Sequence, residues 1–320
     1  MLKFKILGFY LMDELTYQDA VSYLDAGLQN ANIDLDTVFN EVKSKYSTDG
    51  LVFCIKHILS NYNDTKILDK TVRYTVLNFN KQNLPSIVDF ILRQNNNDAF
   101  TNIKVLAIKS LPKYKDTSVV QSLLFCLKDK NSSYKIKLSA VDALGKIGDR
   151  NAFDMLGKIA TDEKENSAYV KETAVTALGM LGDDRAIEVF SSIMETKQIF
   201  KEKFSFLKEK IMEAMDKFDI SRNKKALEII KKSLYDPNGN VRIAAVETLM
   251  NSGINESYDL IYDVLKYDSD MEVRKNALVA LFNITCDIKV LEDVIRGDYS
   301  EDLKNHAIKT IKEIEANKNE

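Results

Sequence analysis

Residues 236–253 read DPNGNVRIAAVETLMNSG. The first part is a turn and the rest is a helix. Asp236 and Pro237 start a chain reversal, and Asn240 stands where an N-cap would, just before Val241. From there Val241, Ala245, Val246 and Leu249 fall at i, i+4, i+5 and i+8, which is one face of a helix, with Arg242 at its start.

The same phrase recurs along the chain: apolar, basic, two variable residues, small, apolar, two variable residues, apolar. It reads IKVLAIKSL from Ile103, IKLSAVDAL from Ile136, VKETAVTAL from Val170 and LKEKIMEAM from Leu207. It returns as VRIAAVETL from Val241, VRKNALVAL from Val273 and LKNHAIKTI from Leu303, and a degenerate copy, TVRYTVLNF, starts at Thr71. The central position is Thr75, Ala107, Ala140, Ala174, Ile211, Ala245, Ala277 and Ala307, at intervals of 32, 33, 34, 37, 34, 32 and 30 residues. A period in this range is the signature of a solenoid, and alanine at the centre lets neighbouring backbones approach closely.

Between the phrases lie second amphipathic patterns, such as RAIEVFSSIM (185–194), KKALEIIKKSL (224–234) and SYDLIYDVL (257–265). Each unit is therefore expected to be two antiparallel helices. Gly148 and Gly182 stand where left-handed helix ends are wanted, with Asp149 and Asp183 or Asp184 placed to cap the next helix. Only 3 prolines and 11 glycines in 320 residues also argue for an all-α chain.

The period, the turn D-P-x-x-x-V-R-x-x-A and the ending A-L-G-x-L-G-D resemble HEAT-like repeats, in particular the short kind found in phycobilisome-lyase-type proteins. The resemblance covers about residues 71–316 and implies an α-solenoid of the armadillo/HEAT type. Residues 1–70 fit the phrase poorly. TYQDAVSYLDAGLQNA, DLDTVFNEVKSKY and GLVFCIKHILSNY read as amphipathic helices that cap the array or form divergent repeats. The start MLKFKILGFYLMDEL reads as a structural element, since its apolar run is short and is followed by Asp13 and Glu14 without a small-residue cleavage site. The insertion ETKQIFKEKF before the Ile211 copy is a place where stacking can bend, and residues 317–320 read as a frayed tail.

The net charge of −3 gives no global attraction for nucleic acid or anionic lipid. No window approaches the roughly 20 apolar residues of a spanning helix, so no membrane association is expected. Cys54, Cys126 and Cys286 are odd in number and lie in apolar helical contexts. Buried free thiols and a reducing cytoplasm fit them better than disulfides.

Catalytic and metal patterns are thin, so no enzyme activity and no cofactor are expected. Cys54 and His57 share a helical spacing, but no second pair accompanies them. The His-Glu pairs of metal-dependent HEAT hydroxylases are missing, as are G-x-S-x-G, Walker and dinucleotide patterns. What remains is surface. The basic position of the phrase, Lys104, Lys137, Lys171, Lys208, Arg242, Arg274 and Lys304, forms a ladder. It either faces a ligand or binds an acid or carbonyl in the adjoining turn, the use that the HEAT resemblance favours.

Charge comes in blocks. Residues 101–146 carry nine basic and three acidic residues, 197–232 eleven and six, and 233–303 six and fourteen. The HEAT resemblance implies that the outward positions of the second helices line an inner surface. They include Lys137, Lys171, Glu172, Glu209, Arg242, Glu247, Arg274, Lys275 and Asn305. That mixture suits a protein or peptide bound by many modest contacts, so a protein-binding scaffold is the expected function. The alternatives are nucleic-acid binding, as in some HEAT-like DNA-repair glycosylases, and a chromophore-lyase-like helper. The acidic C-terminal block and the absence of tryptophan weigh against nucleic acid.

Overall fold

The structure, a computed structural model, describes residues 14–29, 34–94, 98–165, 167–195 and 205–317. The N-terminal run, the insertion over 196–204 and residues 318–320 lie outside them. Among the described residues there are seventeen α-helices and no strand. The chain divides into two compact units, Met1–Ile147 and Gly148–Glu320.

In the first unit the helices are α1 (Glu14–Gln29), α2 (Leu35–Asn61), α3 (Thr65–Asn78), α4 (Leu84–Leu92), α5 (Asp98–Ser110), α6 (Val120–Lys128) and α7 (Tyr134–Ile147). The two early amphipathic stretches join in α2, which is broken at Ser47 (φ +69°). Helices α3, α5 and α7 pack side by side, while α2, α4 and α6 form the second layer. Because α2 packs on both α3 and α4, the helices before residue 71 share a core with those after it.

The second unit contains α8 (Phe153–Thr161), α9 (Ala168–Leu181), α10 (Arg185–Glu195), α11 (Ser205–Met215), α12 (Lys224–Ser233), α13 (Gly239–Ser252), α14 (Ser257–Tyr267), α15 (Met271–Thr285), α16 (Lys289–Arg296) and α17 (Glu301–Asn317). Helices α9, α11, α13, α15 and α17 make one continuous layer. Each is paired with a first helix, α8 with α9, α14 with α15 and α16 with α17. Each unit is thus an all-α stack of antiparallel helix pairs, the armadillo/HEAT solenoid arrangement.

The phrase explains the packing. Thr75, Ala107, Ala140, Ala174, Ile211, Ala245, Ala277 and Ala307 are all 0 % exposed. The flanking apolar positions Val170, Leu178, Val241, Leu249, Val273 and Leu281 are buried with them. Each such side chain contributes about 1.5–3 kcal/mol on transfer from water. Gly148 (φ +79°) and Gly182 (φ +57°) adopt the left-handed conformation at the helix ends, as their positions required. Asp149 and Asp183 accept the backbone N–H two residues on.

Two expectations are corrected. The cap of α13 is Asn238, not Asn240: the Asn238 side chain accepts from the Asn240 N–H, so the helix starts earlier. Successive Asx turns, Asp236 to Asn238 and Asn238 to Asn240, consume the whole turn sequence, and Asp268 and Asp270 repeat the arrangement before α15. Cys54 and Cys126 are buried, their thiols pushed up to about 12 and about 11 by burial. Cys286, however, is exposed, because it closes α15 in the left-handed conformation (φ +52°).

The close approach of α9 and α11 marks a testable constraint. A Cβ on Gly179 of α9 would stand 3.0 Å from the Cβ, 3.2 Å from the Cα and 3.3 Å from the carbonyl oxygen of Ala214 on α11. Alanine gains about 1 kcal/mol of helix propensity over glycine, but backbone atoms cannot swing aside, and overpacking costs about 1–3 kcal/mol. Gly179→Ala is expected to lower stability by about 1 kcal/mol net in urea unfolding.

Candidate functional site

The basic ladder is the first element of any site here, and the structure turns most of it inward. Lys104 (2 % exposed) donates to the Gln94 carbonyl, and burial holds its pKa below the usual lysine range. Lys171 is 3 % exposed. On α11, Lys208 Nζ lies 2.7 Å from Asp236 Oδ2, in the turn before the next second helix. On α13, Arg242 forks onto Asp268 (Nε to Oδ2 2.7 Å, Nη2 to Oδ1 2.9 Å), again one repeat further on. Its Nη1 donates to the Asp236 carbonyl at 2.8 Å, so Asp236 links two repeats. The Arg242–Asp268 hydrogen bond raises the guanidinium pKa further. Arg274 Nε donates to the Leu265 carbonyl (2.8 Å), and its guanidinium carbon lies 5.9 Å from the Tyr299 ring centroid.

Burial takes Lys171 off the surface, and half-buried Arg242 has its donors committed to Asp268 and the Asp236 carbonyl. A charge this deep is kept only where its hydrogen-bonding capacity is met. Arg274 is likewise drawn to its own turn. Lys137 is half-buried on α7 and lies in the first unit. Asn305 is exposed on α17, and Lys275 is held by Glu272 at 2.8 Å on the exposed side of α15.

The remaining three residues come together. Glu172 on α9, Glu209 on α11 and Glu247 on α13 sit on adjacent helices of the continuous layer. Glu213 and Asp216, which sequence reasoning missed, join them. All three glutamates have raised pKa values, chiefly because partial burial disfavours the charged form. Repulsion adds to this: Glu213 acts on all three, Glu172 also acts on Glu209, and Asp216 on Glu247. Lys210 opposes the shift at Glu172 and Glu209, but both of its short contacts, 2.6 and 2.8 Å, go to Glu213. The Asn240 side chain opposes the shift at Glu209 only weakly, and the buried Glu209 Oε1 has no hydrogen-bond partner.

The helical spacing Glu209–Glu213–Asp216 could have revealed this strip. Block counting concealed it, because it averages a helix pair. The lysines that make 197–232 basic include Lys225 and Lys231 on the opposite layer, where they pair with Glu188 and Glu256. Among the described residues, no group of three or more His, Cys, Asp or Glu is placed to hold a metal ion.

The geometry defines a class: an all-α repeat protein whose buried cations tie successive repeats and whose second-helix layer displays acids. Comparison agrees, since a family model for HEAT repeats matches residues 88–166 and 130–202, and the chain carries HEAT repeats over this stretch. Among solved structures, it is similar to the complex of CpcE and CpcF of phycocyanin lyase from Nostoc sp. PCC7120, at 22% identity and TM-score 0.45, covering 71% of this chain and 86% of that one. It is also similar to human deoxyhypusine hydroxylase in complex with glycerol, at 15% identity and TM-score 0.38, covering 84% and 98%. A computationally designed armadillo repeat protein for modular peptide recognition matches at 18% identity and TM-score 0.33, covering 78% and 99%. At these scores none of the likenesses bears on partner or activity. A search of curated proteins finds no match.

Two outcomes test the site's electrostatics. Asp268→Ala leaves the Arg242 guanidinium, whose side chain is 12 % exposed, without its carboxylate. The expected loss is on the order of 3 kcal/mol in urea unfolding, as for other broken buried pairs. Glu209→Gln should instead stabilise the protein at neutral pH. The folded pKa of Glu209 is raised, so its charge is a cost at pH above that value. The gain should fade as pH falls through the folded pKa and vanish below the ordinary carboxylate range, in unfolding curves collected across pH.

Proposed function

We propose that this chain is a non-enzymatic protein-binding scaffold that acts in the cytoplasm and engages a partner polypeptide through the second-helix layer of Gly148–Glu320. The observation that carries the reading is the gathering of Glu172, Glu209, Glu213, Asp216 and Glu247 on three consecutive helices, beside Lys210. Burial and mutual repulsion make the charges of Glu172, Glu209 and Glu247 costly to the isolated fold, and a cationic partner surface would relieve that cost. Rigid helices hold them at fixed spacing, which suits recognition by shape and charge together.

The same strip repels phosphate, so it disfavours the nucleic-acid alternative on this unit. The chromophore-lyase alternative rests on the sequence resemblance alone. Two further features are consistent with the proposal. No helix among the described residues is long and apolar enough to cross a membrane, and the two buried cysteines are free thiols.

Affinity capture from lysate with the native chain, followed by calorimetry on the retained protein, tests the proposal. The combined variant Glu172→Lys, Glu209→Lys and Glu247→Lys should weaken binding about tenfold or more, as close charge pairs across interfaces do. No specifically retained protein, or undiminished affinity in the variant, overturns it.

A further inference from the structure

A cavity of about 390 Å³ opens on the turns that flank α13 and α14, within the second unit. Its volume falls in the roughly 300–1,000 Å³ range of small-ligand pockets. Among the residues that line it are Tyr235, Tyr267, Asp263, Val264, Arg242 and Asp268. Tyr235 and Tyr267 occupy the same place in successive repeats, each directly before the aspartate that opens the turn. They are 80 % and 70 % exposed, so their rings are presented to solvent rather than packed into the core.

The charges in the cavity wall sort by what they already do. Arg242 is committed, with Nε and Nη2 on Asp268 and Nη1 on the Asp236 carbonyl, so little donor capacity is left for an anion. Asp236 and Asp268 are likewise neutralised, by Lys208 and Arg242. The Asp263 carboxylate, exposed on α14, belongs to neither pair. Two exposed rings beside a carboxylate that belongs to neither pair make an environment suited to a cation. The chain's own Lys266 already uses part of it, with its ammonium 5.1 Å from the Tyr267 ring centroid and attracted by Asp263, so a bound cation takes the place of Lys266 there. An apolar ligand would cover Asp263 without compensation.

We propose that this cavity receives the cationic side chain, lysine or arginine, of a polypeptide partner, with the rings of Tyr235 and Tyr267 on the cation and Asp263 balancing its charge. The cavity lies on the inter-helix turns, not on the acidic second-helix face, and the inference stands or falls separately from the proposed function.

The test titrates the full chain, carrying isotope-labelled tyrosine rings, with the N-acetyl amides of arginine, lysine and citrulline while NMR follows the rings. Tyr235→Phe and Tyr267→Phe assign the two resonances. Arginine or lysine amide should shift both saturably, and neutral citrulline amide should not. Tyr235→Ala, Tyr267→Ala and Asp263→Asn should each weaken binding about fivefold, the size of one exposed cation–π or charge contact. All three positions are exposed, so unchanged thermal unfolding separates loss of binding from loss of fold. Absence of saturable shifts with both cationic amides, equal response to citrulline amide, or undiminished binding in the alanine and asparagine variants overturns the proposal. So does a shift of these resonances by inorganic phosphate alone.

Discussion

The constraint on which the rest depends is how closely consecutive second helices approach. Alanine at the centre of six of the eight phrases allows a short interhelical distance, and the other contacts between repeats depend on it. At Gly179 and Ala214 the two backbones come near enough that a single methyl group decides whether they fit. The Thr248 hydroxyl of α13 exploits the same proximity, reaching the Met212 carbonyl of α11 at 3.1 Å. Ile211 is the large exception in this row, as fully buried as the alanines on either side of it.

This spacing also determines what the cations can do. A lysine or arginine one residue after the first apolar position starts inside the stack, and the turn of the following repeat lies within its reach. Lys208 and Arg242 both take that route, each ending on an aspartate 26 to 28 residues ahead. The Asx turns that hold Asp236 and Asp268 orient their other carboxylate lone pairs toward backbone N–H groups, so each carboxylate is almost fully used. The basic position is therefore largely internal wiring, the use that the HEAT resemblance favoured over a ligand-facing ladder.

Fold and site were not equally legible. The period, the alanines and the Gly148 and Gly182 helix ends were visible because they obey local rules: one face per 3.6 residues, and positive φ after a helix. The start of α13 was misplaced because three Asx-capable residues, Asp236, Asn238 and Asn240, compete for the cap, and only geometry shows which one wins. The site was legible in part. Glu172, Glu209 and Glu247 could be named as outward, but the depth of Lys171 and the hold on Arg242 could not be read from their own segments, since Arg242 is held by Asp268 in another repeat. Glu213 and Asp216 were missed because counting charge along the chain merges two helices that face opposite ways. The division after Ile147 leaves no mark in composition, because no Pro- or Gly-rich linker accompanies it.

One residue, Asp236, has a consequence larger than its size. Its carboxylate holds the repeat behind it through Lys208, while its carbonyl holds Arg242, which in turn grips Asp268 ahead. The links are connected in series. A force drawn along the stack would load them one through another, so the repeats from α11 to α15 share any strain rather than yielding singly. Repeat proteins are cooperative to the extent that their nearest-neighbour couplings exceed what each repeat can hold alone. In this stretch that coupling includes a chain of ion pairs beside the apolar core, and the reach of the chain is set by where a single turn is anchored.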